Sequence, residues 1–341
     1  MELTHKLLLI IPVVGFLFTG AAYGSYAERR LAAKFQQRIG PNRVGPWGLL
    51  QPLADVLKLL IKEDITPEAA DQRIHFLAPV ISLVTVLASF AVIPLASIDG
   101  EPLVISDLNV GILYILAVAS IAVYGITLAG WASNSKYSLL GGLRASAQMV
   151  SYELAMGLAI VSVILLTNFN VDGDYLKVSS IVEAQRGAWN MFINPIGFII
   201  FFICMLAEAS RTPFDLIEAE QELVGGFHTE YSSMRFGMFM VVEFLHIVVP
   251  PAIIATLFMG GYLGPFEGAL GVIDWSPWLQ ALWGISWFLG KTFFLGFVFI
   301  WIRWTLPRFK YNQLMDLGWK KLLPLALLNL VVIAGVLAII H

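Results

Sequence analysis

Three glutamates lie inside stretches of the sequence that are otherwise apolar. Glu153, Glu208 and Glu243 each fall within about seven residues of one end of such a stretch, which is roughly 10 Å along a helix. An ionisable side chain in an apolar stretch that crosses a bilayer costs about 2.5 kcal/mol or more to insert, and it usually marks a path for protons or ions. Three carboxylates at a similar depth therefore predict a conducting role rather than a coincidence.

A run of acidic residues follows the second of these glutamates. They are Asp215, Glu218, Glu220 and Glu222. Thr212 is a suitable N-cap, Pro213 suits the first helical position, and paired glycines follow the run, so the pattern predicts a short capped helix. On that helix Asp215, Glu218 and Glu222 would share one face, where crowded carboxylates can share protons. A solvated acidic loop is the alternative interpretation.

A second charged segment spans residues 28–76 and contains an amphipathic stretch. It begins with Glu28 and Arg29, and a turn rich in Gly and Pro interrupts it at 40–46. From 49 to 61 apolar residues recur every three or four positions, while Asp55 and two lysines fall on the other face, which predicts a helix lying on the membrane surface. Periodicity alone favours a helix that only anchors the chain at the membrane surface. The alternative is a helix whose apolar face contacts lipid or a lipid-like ligand.

The elements that must carry these side chains follow from the composition. Of 341 residues, 58% are apolar and only 13% are charged, whereas soluble domains carry about 25% charged residues. Eight apolar stretches are long enough to cross a bilayer, which takes a helix of about 20 residues. They span 7–27, 77–97, 110–130, 148–167, 195–210, 237–259, 280–302 and 322–340. The sequence therefore predicts an all-α polytopic membrane protein with eight transmembrane helices and an additional amphipathic surface helix.

The basic residues indicate how the chain is oriented. Of the 21 Lys and Arg residues, 17 lie in four segments beside the predicted spans, namely 28–76, 131–147, 211–236 and 303–321. The positive-inside rule places these segments on the inner side of the membrane and both termini outside. The two charged segments, 28–76 and 208–235, then share the inner side, which is where function is expected.

Several kinds of site are excluded by counting residues. The single cysteine, Cys204, excludes a disulfide within the chain and an iron–sulfur or cysteine-based zinc site built by this chain alone. Five scattered histidines are too few for a haem, and Glu243 with His246 forms only half of a di-iron motif, so no metal site is predicted. A net charge of −3 gives no surface for nucleic acid. His246 and Lys291, both within predicted spans, are weaker candidates to extend the carboxylate path.

The two inner segments contain long motifs of a known family. They are GLLQPLADVLK at 48–58 and PFDLIEAEQEL at 213–223. Shorter matches at 130–137, 143–153 and 303–311 extend the likeness over nearly the whole chain. The sequence resembles a membrane subunit of respiratory complex I, the proton-pumping NADH:quinone oxidoreductase. The subunit that it resembles is called H in bacteria and subunit 1 in mitochondria.

The resemblance implies a single membrane domain, 1–341, that forms the entrance and much of the wall of a quinone cavity. The family's quinone-side residues correspond here to Glu28, Arg29, Gln36, Arg38, Asp55, Phe227 and Arg303. This correspondence reverses the preference for a simple anchor, because an apolar face suits an isoprenoid tail. The family's acidic channel, which would couple quinone reduction to proton translocation, corresponds to Glu153, Glu208, Asp215, Glu218, Glu220, Glu222 and Glu243.

The resemblance also implies partners and a location. Quinone would be the substrate, and FMN and iron–sulfur clusters would belong to partner subunits. The chain would contact the quinone-proximal hydrophilic arm, the pump subunits of the membrane arm and membrane lipid. The expected location is a bacterial inner membrane, or the mitochondrial inner membrane if the chain is organellar.

Three alternatives stay open on the sequence. Related subunits occur in membrane-bound hydrogenases and in ferredoxin- or F420-linked dehydrogenases, although retention of the whole segment 40–62 favours an enzyme with a quinone chamber. A free-standing secondary transporter is the second alternative, but the inverted repeat that is typical of transporters is missing. A purely structural anchor is the third, and it would gain nothing from carboxylates inside the membrane.

Overall fold

Helices predominate in the computed structural model, which describes residues 2–171, 173–217, 220–265 and 275–340. The α-helices, in chain order, are α1 (Glu2–Phe35), α2 (Gln51–Ile61), α3 (Gln72–Ser89), α4 (Gly111–Ala132), α5 (Lys136–Asn170), α6 (Val178–Glu183), α7 (Asn190–Ile193), α8 (Pro195–Glu208), α9 (Glu220–Leu223), α10 (Ser233–Leu245), α11 (Val249–Phe258), α12 (Pro277–Thr305), α13 (Tyr311–Asp316) and α14 (Leu323–Ile340). Six π-helical residues, Leu317–Leu322, join the last two.

Seven helical stretches are long and apolar enough to cross a membrane, as judged by length and composition. They are Leu9–Phe35, Gln72–Val92, Gly111–Ala132, Lys136–Asn170, Ser233–Phe258, Pro277–Thr305 and Tyr311–Ile340. Each overlaps a predicted span, and the remaining predicted span, 195–210, forms the shorter apolar helix α8. The polytopic, mainly helical class is confirmed. The structure also contains a two-stranded antiparallel hairpin that the sequence did not predict, formed by β1 (Ala96–Ile98) and β2 (Glu101–Leu103).

Two of the spanning helices are longer than the sequence predicts. In α1 the charged residues Glu28 and Arg29, which were expected to follow the first span, continue the helix. In α5 the helix begins at Lys136 and therefore includes Arg144. Charged side chains that were expected on loops are thus held on rigid helices.

The sixth predicted span is broken near its middle. α10 ends, three residues form a turn, and α11 then begins. Pro250 and Pro251 have no backbone N–H and fit best in the first turn of a helix, so the pair marks the start of α11. Glu243 and His246 lie at this break.

The prediction of an acidic helix that begins at Thr212 is wrong. Residues 212–217 form turns, bends and irregular backbone, the Thr212–Pro213 peptide bond is cis, and the described part of α9 covers four residues, Glu220–Leu223. Asp215 therefore does not share a helix face with Glu222. Glu218, the third residue of the predicted face, lies outside the described residues.

Packing of the apolar side chains explains why residues 212–217 do not form a helix. Phe214, Leu216 and Ile217 are all buried. The Phe309 N–H donates a hydrogen bond of 3.1 Å to the Pro213 carbonyl oxygen, which fixes the segment against the chain that follows α12. Burial of three large apolar side chains outweighs the local capping signals, because helix propensity is a weak preference that tertiary contacts override.

The amphipathic helix is confirmed as α2. Pro52 is its only fully buried residue, and Leu57 and Leu60 are half exposed or more. A 3₁₀ turn at Pro46–Gly48 precedes it. There Gly48 has a φ of 81°, and a Cβ would lie 2.3 Å from the Pro41 carbonyl oxygen, so only glycine fits the turn that leads into α2.

The core is centred on α5, α8 and α11. α5 packs against α4, α8 and α14, and α11 packs against α8 and α12. The largest fully buried side chains include Tyr152, Phe201, Phe258 and Phe288. Beside this core α1 packs against α2, α10 and α12, so that polar residues from distant parts of the sequence are brought together.

Candidate functional site

Four charged side chains from separate parts of the chain meet, and two of them are buried while the other two are partly exposed. Arg211 contacts Glu28 (Nη1 to Oε2, 2.7 Å) and Glu243 (Nη2 to Oε1, 3.1 Å). Arg303 donates a hydrogen bond to Glu28 Oε1, and its Nη1 lies 3.7 Å from Glu243 Oε1. Glu28 is 6% and Arg211 is 4% exposed. We call Glu28, Arg211, Glu243 and Arg303 the charge cluster.

Three helices and one irregular segment position the charge cluster. α1 carries Glu28, the last turn of α10 carries Glu243, and the last turn of α12 carries Arg303. Arg211 follows α8, donates a hydrogen bond of 3.0 Å to the Glu243 carbonyl oxygen, and lies over the Phe244 ring at 5.2 Å. Two guanidinium groups therefore face two carboxylates, which is the kind of pairing that makes buried charge tolerable.

The charge cluster joins residues that sequence analysis had assigned to two different sites. Glu28 and Arg303 were predicted on the quinone side and Glu243 in the acidic channel, whereas the structure brings all three into contact. Sequence analysis missed Arg211. The signal that could have found it is its position shortly after the carboxylate of Glu208, because carboxylates buried inside spans need a nearby cation.

A groove opens between α1, α2 and α10. Its empty volume is about 1230 Å³, and its apolar walls include Phe18, Val56 and Phe244. Two of the predicted quinone-side residues also line it, and there Arg29 Nη1 donates a hydrogen bond of 2.6 Å to Asp55 Oδ2. A mainly apolar space with a few polar groups is the usual form of a site for a small amphiphilic molecule.

The other predicted quinone-side residues lie elsewhere. Gln36 and Arg38 are exposed beyond the end of α1, where Arg38 Nε donates a hydrogen bond of 2.6 Å to Gln36 Oε1. Phe227 is buried, with its ring centroid 5.0 Å from that of Phe239. The structure thus brings Arg29 to Asp55 in the groove and leaves these three residues outside it.

Two further cavities have His246 in common, and one of them adjoins the charge cluster. The first, with an empty volume of about 430 Å³, is lined by Glu243, Ser210 and Phe227 among others. The second, of about 550 Å³, is lined by Glu208 and mainly by apolar side chains. Because His246 lines both, the order Glu243, His246, Glu208 leads from the charge cluster into the core. These spaces lie between the carboxylates that a proton path would have to connect.

Glu153 continues this order on α5. It is partly buried and accepts a hydrogen bond from the Ser120 hydroxyl on α4. The charges of Glu153 and Glu208 lie close enough to interact. Glu243 and Glu208 thus line two cavities that share His246, and Glu153 lies near Glu208.

A second group of charges surrounds Glu222 at the protein surface. Arg144 Nη1 donates a hydrogen bond of 2.7 Å to Glu222 Oε2, and Arg308 Nη2 lies 3.7 Å from Oε1. The hydrogen bond from Arg144 lowers the pKa of the Glu222 carboxyl below its ordinary value, although this side chain is 52% exposed. We call Arg144, Glu222 and Arg308 the surface cluster. Asp215, seven residues before Glu222, is partly buried. The side chain of Glu220 lies outside what the structure describes.

Lys291 is held by backbone carbonyls. Its ammonium donates hydrogen bonds to the carbonyl oxygens of Met259 (2.6 Å), Gly261 (2.9 Å) and Leu263 (2.6 Å), and it lies 4.5 Å from the Trp189 ring centroid. These contacts hold the buried ammonium against the segment that follows α11. Within the described ranges, no group of three or more His, Cys, Asp or Glu side chains could hold a metal ion.

Comparisons with known proteins agree with the sequence motifs. The sequence model of the NADH dehydrogenase family matches residues 7–334. The chain is 54% identical to NADH-quinone oxidoreductase subunit 8 of Rhodothermus marinus, over 96% of this chain and 95% of that protein. It is 51% identical to the NADH-quinone oxidoreductase H subunit of Syntrophotalea carbinolica, over 95% of this chain and 93% of the relative. The H subunit of the Salinibacter ruber enzyme is also 51% identical, over 94% and 93% of the two chains.

Proposed function

Since the chain belongs to the NADH dehydrogenase family and is a membrane subunit of NADH-quinone oxidoreductase, we propose that it forms the wall of the quinone cavity and couples quinone reduction to proton translocation. The names of the relatives favour this enzyme over the related hydrogenases. We further propose that FMN and iron–sulfur clusters in partner subunits deliver the electrons, because a single cysteine cannot hold a cluster.

The proposed arrangement in the membrane follows from the basic residues and the helices. We propose that α8 is the fifth of eight spans, that both termini lie outside, and that residues 1–341 form one membrane domain. Segments 28–76 and 208–235 then face the inner side, where the hydrophilic arm would dock. The chain would contact the pump subunits of the membrane arm and lipid along its spans, in a bacterial inner membrane.

The groove between α1, α2 and α10 is the proposed quinone site. Its apolar walls suit an isoprenoid tail, and the Arg29–Asp55 pair offers polar atoms to the approaching head group. Glu28 directly precedes Arg29 on α1, so the charge cluster begins beside the groove. Gln36 and Arg38 would act at the inner end of α1, and Phe227 on the wall of the first cavity.

The charge cluster is the observation that carries the coupling proposal. Reduction of a quinone to a quinol takes up two electrons and two protons, and negative charge develops on the head group before the protons arrive. That charge attracts Arg303 and Arg211, so Glu243 loses part of its compensation and can take up a proton. The proton can then move by way of His246 to Glu208 and Glu153.

The remaining carboxylates have a place at the inner end of this route. Glu222 is exposed and can exchange protons with water, and Asp215, Glu218 and Glu220 belong to the same segment. We propose that this segment supplies protons from the inner side. Its acidic residues would keep the supply local to the entrance of the route.

A variant that fills the groove tests the quinone assignment. Ala22 lines the groove, and in Ala22→Phe an added ring would occupy the space of the ligand's tail. In membranes containing the assembled complex, the KM for a long-chain quinone should rise about tenfold, which corresponds to the cost of overpacking a site. The matched control is Ile11→Phe, which adds a ring at an exposed position of the same helix.

The control should leave the KM for quinone unchanged. If Ala22→Phe assembles normally and its KM equals that of the Ile11→Phe control, the groove is not where quinone binds. If NADH:quinone reduction in a deletion strain does not depend on this chain at all, the assignment to the quinone reaction is wrong.

A further inference from the structure

α2 has little packing of its own to hold it in place. It packs mainly against α1 and α10, and apart from Pro52 its side chains are not fully buried. Apolar packing against neighbouring helices fixes the position of a helix relative to them, and α2 has little of it, so its position relative to α1 and α10 depends on other contacts. Polar contacts at its two ends have that role.

The N-terminal end of α2 is tied to α1. The Tyr26 hydroxyl and Arg30 Nη1 both donate hydrogen bonds to the Trp47 carbonyl oxygen, at 2.7 and 2.8 Å. One turn into α2, Asp55 accepts the hydrogen bond from Arg29. These contacts fix where α2 begins, beside the inner half of α1.

The C-terminal end of α2 is tied to the start of α10. The Ile65 N–H donates a hydrogen bond of 2.7 Å to the Ser232 hydroxyl oxygen, and that hydroxyl lies 3.2 Å from the Glu63 carbonyl oxygen, to which it donates. The Ser233 hydroxyl donates to the Leu59 carbonyl oxygen at 3.1 Å. Two consecutive serines thus hold the end of α2 and the segment that follows it.

Arg235 completes this attachment with charge. Its guanidinium contacts Asp64 Oδ2 and Thr66 Oγ1, each at 3.0 Å, and also lies 3.0 Å from His75 Nδ1 on α3. The His75 ring stacks on the Tyr231 ring with centroids 3.8 Å apart. This stacking fixes the orientation of the imidazole that Arg235 contacts. We call Asp64, Thr66, Ser232 and Arg235 the clamp.

The clamp lies next to the groove in the sequence and in space. The two residues that follow Arg235, Phe236 and Gly237, line the groove. At Gly237 a Cβ would come within 3.1 Å of Leu59 Cδ1, so α2 and α10 are already in close contact there. A small shift of α2 relative to α10 would therefore change the width of the groove directly.

We propose that Arg235 is a positioning residue that, through the clamp, holds α2 at the distance from α10 that admits the apolar tail of the ligand. This inference rests on the proposed function, in which the groove binds quinone. Because the clamp acts on the wall of the groove and not on the reacting head group, it affects the KM for long-tailed quinones and leaves kcat unchanged.

Steady-state kinetics of the assembled complex in membranes test this role. Arg235→Gln should raise the KM for a long-chain quinone about threefold to fivefold, as expected for the loss of one partly exposed ion pair with its hydrogen bonds. The KM for a short-chain quinone and both kcat values should stay the same. Arg235→Lys, which keeps the charge, should recover part of the affinity. The matched control is Arg73→Gln, the same change at an exposed position of the inner segment.

A distance measurement separates the clamp from the quinone assignment. Spin labels at Leu57→Cys on α2 and Leu77→Cys on α3 would report the position of α2, since both positions are half exposed and the native Cys204 is buried. Arg235→Gln should broaden the distance distribution, whereas Arg73→Gln should not.

An unchanged distribution in Arg235→Gln overturns the inference, as does a fall in kcat without a change in KM. If the distribution broadens while kcat and the KM for the long-chain quinone both stay the same, the clamp is retained and the assignment of the groove to quinone is overturned.

Discussion

The charge cluster and the surface cluster are built from the same residue types in different surroundings. In the charge cluster Arg211 and Arg303 contact Glu28 and Glu243, and the pair at its centre, Arg211 with Glu28, is buried. In the surface cluster Arg144 and Arg308 contact Glu222, whose side chain is half exposed. Water can replace a lost partner at the surface, but it cannot do so in the interior. The same pairing is therefore a coupling element in one place and a modest local contact in the other.

The difference also determines how each group responds to a new charge. In the interior the low dielectric allows a charge at one residue to affect the others, so Glu28 beside the groove is linked to Glu243 beside the first cavity. At the surface, water and salt screen such an effect within about 10 Å. Only the buried group is suited to transmit the consequence of quinone reduction.

The largest effect is expected from Arg211→Met. This variant leaves Glu28, which is buried, and Glu243, which is partly buried, with Arg303 as their remaining partner in the charge cluster, which should cost about 3–5 kcal/mol of stability. We expect most of the assembled complex, and its NADH:quinone reductase activity, to be lost from membranes. Arg144→Met, the same change in the surface cluster, should reduce the stability of the complex clearly less than Arg211→Met.

A second variant shows whether uncompensated charge is the cause. Adding Glu28→Gln to Arg211→Met removes one of the stranded carboxylates and should restore part of the assembled complex, measured as the amount of intact complex after mild solubilisation. If Arg211→Met is no more harmful than Arg144→Met, the contrast between the two clusters does not exist.

The smallest effect is expected from Glu222→Gln, and it should depend on pH. At neutral pH the variant should reduce stability by at most about 1 kcal/mol, because the ion pair with Arg144 is screened by solvent. The pKa of Glu222 is lowered in the folded protein, so its contribution is complete above the ordinary pKa and is lost as the pH falls through the lowered value.

Thermal unfolding of the complex at several pH values checks the sign of this effect. The difference between the wild type and Glu222→Gln should be present at neutral pH and should vanish well below the ordinary glutamate pKa of about 4.3. It should also shrink at high salt. A difference that grows in acid would show that Glu222 is not stabilised as the carboxylate.

The elements that depend on local patterns could be predicted from the sequence. The period of three and four between 49 and 61 predicted α2, and apolar length predicted seven of the helical stretches. The carboxylates of Glu153, Glu208 and Glu243 were marked by their cost in an apolar setting. Each of these signals lies within a single stretch of sequence, which is why the element or residue could be predicted without knowledge of tertiary contacts.

The charge cluster could not be predicted, because it depends on contacts between distant residues. Glu28 and Arg303 are separated by 275 positions, and Glu28 and Arg211 by 183. The helix expected from Thr212 failed for a related reason, since burial of Phe214 and its neighbours overrode a local capping pattern. Local rules predict elements, and tertiary contacts decide which residues meet.

The central claim is that buried carboxylates couple quinone reduction to proton translocation, and Glu208→Gln tests it most directly. Acidification per NADH oxidised would be measured in inverted membrane vesicles from a deletion strain that is complemented with the wild-type chain, with Glu208→Gln, or with Glu101→Gln, the same change at an exposed glutamate of β2. We predict that Glu208→Gln assembles but loses most of the acidification, while Glu101→Gln matches the wild type. Normal assembly, quinone reduction and acidification per NADH in Glu208→Gln would contradict the account.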